Sequence, residues 1–159
     1  MGKQKFTSKD TSINSEKLPR IYGAKIPAGH TVLDYGCGKY VDHLKAKAAE
    51  NGWVWSGYDP FNYVTDDVEI NDYVICSNVL NVIAEDEVVN EVIRTCVDLA
   101  REYAVFTVYE KDGDGIGRQT GKDQWQRNEK ASAYVKRIRD LGYEAKSRNN
   151  MIWVRKVVA

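Results

Sequence analysis

The stretch "VLDYGCGKY", residues 32–40, runs from apolar residues into an acid and then into two glycines flanking a cysteine. The segment "TVLDY" reads as a short strand, and the glycines as the turn that leaves it. Gly36 and Gly38 tolerate positive φ and let another molecule lie against bare backbone, where a side chain would block it. Downstream, "YVDHLKAKAAENG" places Val41, Leu44 and Ala48 on one helical face and stops at Gly52. "WVWSGYD", rich in aromatic and β-branched residues, reads as a second strand ending at Asp59. The unit is β-α-β, and it decides the fold.

The rest of the chain continues the alternation. "DYVICSNVL" lacks a polar face, as a strand buried on both sides of a parallel sheet would. In "EDEVVNEVIRTCVDLARE", Val89, Ile93, Cys96 and Ala100 recur at helical spacing, with acids in the first turn where the helix dipole favours them. "YAVFTVY" is the next strand. "NEKASAYVKRIRDLG" is the next helix, with Ala131, Tyr134, Val135, Ile138 and Leu141 inward and Gly142 as its stop. "EAKS" and "MIWVRKVV" pair as a hairpin across "RNN". The expected fold is a single doubly wound, mostly parallel α/β sheet ending in an antiparallel hairpin.

With 159 residues, 43% of them hydrophobic, the chain suits one domain. Residues 1–20 are polar and read as a mobile arm, leaving 21–159 as the folded unit. No apolar run approaches the roughly 18 residues of a membrane span, and the polar start "MGKQKFTSKD" has no secretory core, so a cytoplasmic protein without a membrane partner is expected. Cys37, Cys76 and Cys96 form no CxxC pair and read as small buried residues, and His30 and His43 do not suggest a metal site. Net charge is zero, but residues 1–30 carry six Lys/Arg against two Asp/Glu, residues 31–110 five against fifteen, and residues 111–159 twelve against six. Basic flanks around an acidic centre fit an anionic partner, and ordinary solvated surface charge gives the same split.

In doubly wound sheets ligands bind beyond the carboxyl ends of the strands. Asp59, 23 residues after Gly36, falls where the ribose-binding acid of a β-α-β nucleotide site is expected. A dinucleotide fingerprint wants a third glycine where Val41 stands, which disfavours NAD. An adenosine ligand without a pyrophosphate fits better, with an amino-acid tail whose ammonium Asp34 attracts.

These residues resemble the class I S-adenosylmethionine-dependent methyltransferases over roughly residues 30–109. "VLDYGCGKY" looks like their first motif, "GYDPF" like their second, and "DYVICSNVLNVI" like the strand and loop that close over the cofactor. The resemblance implies S-adenosylmethionine as cofactor and S-adenosylhomocysteine as product. By the same resemblance, Gly36, Cys37 and Gly38 would line the methionine end with Asp34 and Tyr35 beside them. Asp59 would hold the ribose, Pro60 and Phe61 would border the adenine, and Asn78 with Val79 would close the pocket near the donor carbons. More narrowly, "LDYGCG", "GYDP" and "SNVLNVI" resemble small phage methyltransferase-like proteins and methyltransferases associated with DNA phosphorothioation. A phage-encoded chain would act in the host cytoplasm. Only about a dozen residues separate Asp59 from Asp72, so the family's third strand must be abbreviated, with "VEI" the best remnant. Asp66, Asp67 and Asn71 all remain open as the adenine contact.

Methyl transfer needs alignment and desolvation more than a base, so the acceptor is harder to read. Neither a "[DNS]PP[YF]" stretch nor a Pro-Cys nucleophile is present, which counts against two DNA-methylating patterns. "GDGIGRQTGKDQWQRN", residues 113–128, follows the strand "YAVFTVY" and reads as a loop on the glycine-loop rim. There Arg118, Lys122 and Arg127 are expected on phosphates, Trp125 on a base, and Gln119, Gln124 and Gln126 on polar edges; an exposed loop with a buried Trp anchor reads equally well. Tyr109 and Glu110 are candidates for acceptor contact or proton removal. Asn81 points to the acceptor or caps the next helix, and Trp53, Trp55 and Trp153 read as core or rim. The expected activity is methyl transfer to an anionic, nucleic-acid-related acceptor held by the basic arm and the 113–128 loop. The alternative is a methyltransferase-fold module that binds the cofactor without turnover and serves as a partner or regulator.

Overall fold

The structure is a computed structural model describing residues 16–60 and 68–158. Most of the expected arm, and Phe61, Asp66 and Asp67 of the expected adenine region, lie outside the described residues.

Among the described residues, eight strands and three α-helices follow one another as β1 (Thr31–Tyr35), α1 (Asp42–Glu50), β2 (Val54–Tyr58), β3 (Asn71–Ser77), α2 (Asp86–Asp98), β4 (Ala100–Thr107), β5 (Arg118–Gly121), β6 (Gln124–Gln126), α3 (Ala131–Asp140), β7 (Tyr143–Arg148) and β8 (Met151–Lys156). The main sheet has the order β2-β1-β3-β4-β8-β7. Its first four strands are parallel, and β8 runs antiparallel to both β4 and β7. This is the mostly parallel, doubly wound sheet with a closing hairpin that the apolar pattern predicts. Among the described residues no helix is long and apolar enough to cross a membrane.

Each face of the sheet carries its own core. Leu33, Val74, Phe106 and Ile152 pack with Val89 and Ile93 of α2 and Tyr134 and Ile138 of α3. On the other face, Val32, Ile75 and Val105 pack with Leu44 and Ala48 of α1 and with Ile21 and Tyr22 of a 3-10 turn at Arg20–Gly23. Fully burying such side chains contributes about 1.5–3 kcal/mol each. Trp53 belongs to this second core and donates its indole N–H to the Ile26 carbonyl at 3.1 Å, while Trp55 and Trp153 are half-buried. The three cysteines are free and buried.

The structure departs from the sequence reading in three places. Helix α2 ends at Asp98, and Ala100 opens β4 instead of extending the helical stripe. Residues Val68–Ile70 form no strand, so β2 is the sheet edge among the described residues and Val54 and Ile70 stand exposed. Residues 113–128 are not simply a loop, because β5 and β6 pair antiparallel within them. The pairing follows from Asp123, whose positive φ turns the chain back; no apolar alternation announces it.

At the chain's end, Arg148 pairs with Met151 across Asn149 and Asn150, both at positive φ. This is the two-residue turn geometry whose twist matches the flanking strands, and asparagine tolerates it. Helix α3 is capped from outside: the Ala131 N–H donates to the Glu110 carboxylate at 2.7 Å. Glu110→Ala is therefore expected to cost about 1 kcal/mol, the scale of a lost N-cap, and to lower the melting temperature by about 3 °C in a thermal scan.

Candidate functional site

Strands β1, β2, β3 and β4 are parallel, so their carboxyl ends share one rim. The chain leaves β1 through Gly36 and Gly38, at φ +92° and +77°. The loop is tied to β2 along its length. Gly36 and Cys37 donate their N–H groups to the Tyr58 carbonyl, at 2.6 and 3.2 Å, and the Gly38 N–H donates to the Asp59 carboxylate at 2.9 Å. Asp59 is buried although charged groups favour water, and a backbone donor is the kind of partner such burial requires. Pro60 follows it, exposed at the rim.

Val79 closes the loop from the side of β3. A Cβ on Gly36 would lie 2.5 Å from its Cγ2, so only glycine admits this approach. Asn78, just before it, is exposed and at positive φ, and its N–H donates to the Thr107 carbonyl at 2.8 Å. The ladder between β3 and β4 thus continues one residue past β3, and Asn78 stands on the rim. Tyr35 and Tyr58 pair across β1 and β2 with ring centroids 5.0 Å apart, on the face of the α2/α3 core. Cys37 is buried, and desolvation with nearby Asp34 pushes its thiol up, which makes it an inert residue and not a nucleophile.

Asp34 lies on the opposite face, only 2% exposed. The Tyr22 hydroxyl donates to its carboxylate, and the Trp55 indole N–H donates to the Tyr22 oxygen at 2.8 Å. Gly57 makes room for this chain of bonds, since a Cβ there would lie 2.4 Å from the Trp55 ring. Burial pushes the Asp34 carboxyl up to about 7; the Tyr22 hydrogen bond opposes this rise and the neighbouring Asp59 charge adds to it. Tyr22 is itself pushed upward, by its burial and by the Asp34 charge. Sequence reasoning missed Tyr22. The available signal was the pair "IY" at 21–22, apolar residues at the end of a polar stretch.

The acceptor-side candidates separate into two groups. Tyr109 is exposed at the end of β4, on the same rim as Asn78. Asn81 is engaged inside the fold, and Glu110 is engaged at its surface. Asn81 is buried and does not cap α2: its amide donates to the Gln126 side chain at 3.1 Å, and Gln126 in turn donates to the Tyr109 carbonyl at 2.7 Å. Glu110 caps α3.

The 113–128 segment is equally self-engaged. Arg118 pairs with Asp114 at 2.8 Å and lies 3.6 Å from Asp112. The Gln119 amide donates to the Gly121 carbonyl at 3.1 Å, and the Trp125 ring covers Gly117. Lys122 is exposed at the hairpin tip. Arg127 is buried, pairs with Asp86 and Glu129, and donates to the carbonyls of Ile83 and Ala84 at 2.9 and 3.3 Å. An arginine expected on a phosphate is a strut of the fold.

No protein-family profile matches the chain, and no curated protein does. Solved structures do. The 1,6-didemethyltoxoflavin-N1-methyltransferase of Burkholderia thailandensis, bound to 1,6-didemethyltoxoflavin and S-adenosylhomocysteine, superposes with a TM-score of 0.58 at 14% identity, over 80% of this chain and 69% of that one. A chain from the complex of the Haloferax volcanii Trm112 methyltransferase activator with its methyltransferase partner gives 0.54 at 11% identity, over 82% and 83%. At these identities the likeness concerns architecture: the chain has the Rossmann-like sheet seen in methyltransferases.

Proposed function

We propose that the chain is an S-adenosylmethionine-dependent methyltransferase acting on an anionic acceptor. One observation carries the reading: the Gly38 N–H donates to the buried Asp59 carboxylate, joining the glycine loop after β1 to the acid that follows β2. That junction is where a nucleoside site of this fold lies. The residues fit the cofactor's chemistry. Asp34 makes no ion pair with a Lys, Arg or His among the described residues, and a ligand with cationic groups would compensate its buried carboxyl. The neighbours of the same fold include a protein solved with S-adenosylhomocysteine, which supports the same cofactor here.

The bound cofactor would supply a methyl group on a positively charged sulfur. Gly36 lets Val79 close against the loop, Gly38 brings the loop to Asp59, and Asp59 accepts from the ribose hydroxyls. Tyr22 orients the Asp34 carboxylate, and Asn78, Val79 and Pro60 border the pocket. Tyr109 stands on the acceptor side. A nucleic-acid acceptor draws little support from the 113–128 segment, where Arg118 and Arg127 already serve acids of this chain.

Calorimetric titration with S-adenosylmethionine, S-adenosylhomocysteine and NAD tests the reading. Selective binding of the first two is expected. Asp59→Ala is expected to weaken S-adenosylhomocysteine by about 1–3 kcal/mol, the range for removing a partner from buried polar groups. Unchanged affinity in the folded variant would remove Asp59 from the site. Cofactor binding without methyl transfer to any acceptor pool would favour the non-catalytic module.

A further inference from the structure

A cavity of about 320 Å³ opens where β4, the β7–β8 turn and the start of α3 meet, lined by Arg20, Val108, Tyr109, Lys111, Ser147 and Asn150. It lies at the carboxyl end of β4. Two strand spacings, about 10 Å, separate that end from the glycine loop at the end of β1. Its charge comes from different parts of the chain. Arg20, from the 3-10 turn, is fixed by donating to the Asn150 carbonyl at 3.1 Å, and it forms no ion pair among the described residues. Lys111, at φ +47°, holds a backbone conformation that a lysine rarely adopts. It too forms no ion pair among the described residues. Glu110 is the cavity's acid, and its carboxylate is engaged at the amino end of α3. The floor is apolar, with Phe106, Val108 and Ile152 buried beneath it. A groove of about 340 Å³ near the amino end of β4, lined by Tyr103, Lys146 and Trp153, lies at the opposite end of that strand from the rim that carries the glycine loop.

We propose that the cavity at the end of β4 is the acceptor pocket and that it takes a small organic acid. The acid group, a carboxylate or phosphate monoester, meets Arg20 and Lys111, and an apolar or aromatic body lies over Val108 beside Tyr109. Charge-assisted bonds to two cations and an apolar floor select this chemistry. The assignment of the cavity as an acceptor pocket rests on the methyl-transfer reading. In that transfer the sulfur–methyl bond breaks as a methyl–heteroatom bond forms on a hydroxyl or amine of the acid. The sulfur keeps the electron pair as a neutral thioether, and the acceptor's proton passes to water.

The test is an amide-resolved NMR titration with 4-hydroxybenzoate and phenyl phosphate, with and without S-adenosylhomocysteine. It compares the wild type with Arg20→Gln, Lys111→Gln and Lys122→Gln. Saturable shifts at Tyr109, Lys111, Ser147 and Asn150 are expected with at least one acid. Dissociation constants should rise about tenfold in each of the first two variants and stay unchanged in the third. S-adenosylhomocysteine affinity should be the same in all four proteins. Absence of shifts in the presence of bound S-adenosylhomocysteine overturns the pocket and leaves the methyl-transfer reading standing. Acid binding at these residues without any S-adenosylhomocysteine binding keeps the anion site and removes the transfer reading. Displacement of the acid by a single-stranded oligonucleotide whose binding depends on Lys122 overturns the small-acid assignment in favour of nucleic acid.

Discussion

Asp34→Asn is expected to raise folding stability at pH 8 by up to about 4 kcal/mol and to flatten its dependence on pH. The carboxyl titrates at 3.8 in a solvated chain and is pushed up to about 7 in the fold, chiefly by burial. Below the lower value both states hold the proton, and the fold has its full stability. Between the two values the unfolded chain has lost the proton while the folded chain keeps it, so stability falls as pH rises; above about 7 the loss is complete. Urea denaturation at pH 5 and pH 8 should show the wild type losing about 3 kcal/mol over that interval through this group, and the asparagine variant losing almost none of it. Parallel curves for the two proteins would mean that Asp34 is ionised in the fold at all these values. The same linkage reaches the ligand. A cation seated beside Asp34 draws the proton off, so S-adenosylmethionine affinity should climb with pH through about 7 in the wild type and not in the variant.

Arg127→Met should cost about 2 kcal/mol or more and lower the melting temperature by about 6 °C, the scale for leaving buried acceptors without a charged donor. Methionine fills much of the volume but leaves Glu129 and the Ile83 and Ala84 carbonyls without this donor, while Asp86 keeps its pair with Arg137. The damage lies close to the site, since Ile83 and Ala84 belong to the segment between β3 and α2 that also carries Asn78 and Val79. Arg118→Ala is the control: its pair with Asp114 is exposed and screened by solvent, so the melting temperature should stay close to that of the wild type. Equal effects from the two substitutions would mean that Arg127 is no more than a surface charge.

The elements that position the site were legible because their signals are local. The apolar runs of β1, β3 and β4, the helical stripes of α1 and α3, and the spacing from Gly36 to Asp59 follow from neighbouring residues alone. What could not be read depends on contacts between distant segments. A buried arginine and an exposed one look alike in sequence, and only the fold shows that Arg127 faces Asp86 and the Ile83 carbonyl while Arg118 faces solvent. Tyr22 and Asp34 meet because the 3-10 turn crosses under the sheet, a path that no periodicity encodes. Hairpin β5–β6 escaped for a different reason: its strands are short and polar, and their pairing rests on turn geometry. The end of α2 was misplaced because Ala100 suits a helical stripe and a strand equally well.

The Asn149–Asn150 turn also bears on the order of assembly. Strands β7 and β8 are neighbours in sequence, and a hairpin with a tight two-residue turn closes in about 1–10 μs. Strand β8 must then find β4, whose partner residues lie far upstream, and such long-range pairing is the slower event. Ser147 and Asn150 sit on the early unit, whereas Phe106 and Tyr109 belong to the late one. The pocket at the end of β4 therefore comes into existence only when the hairpin docks on that strand.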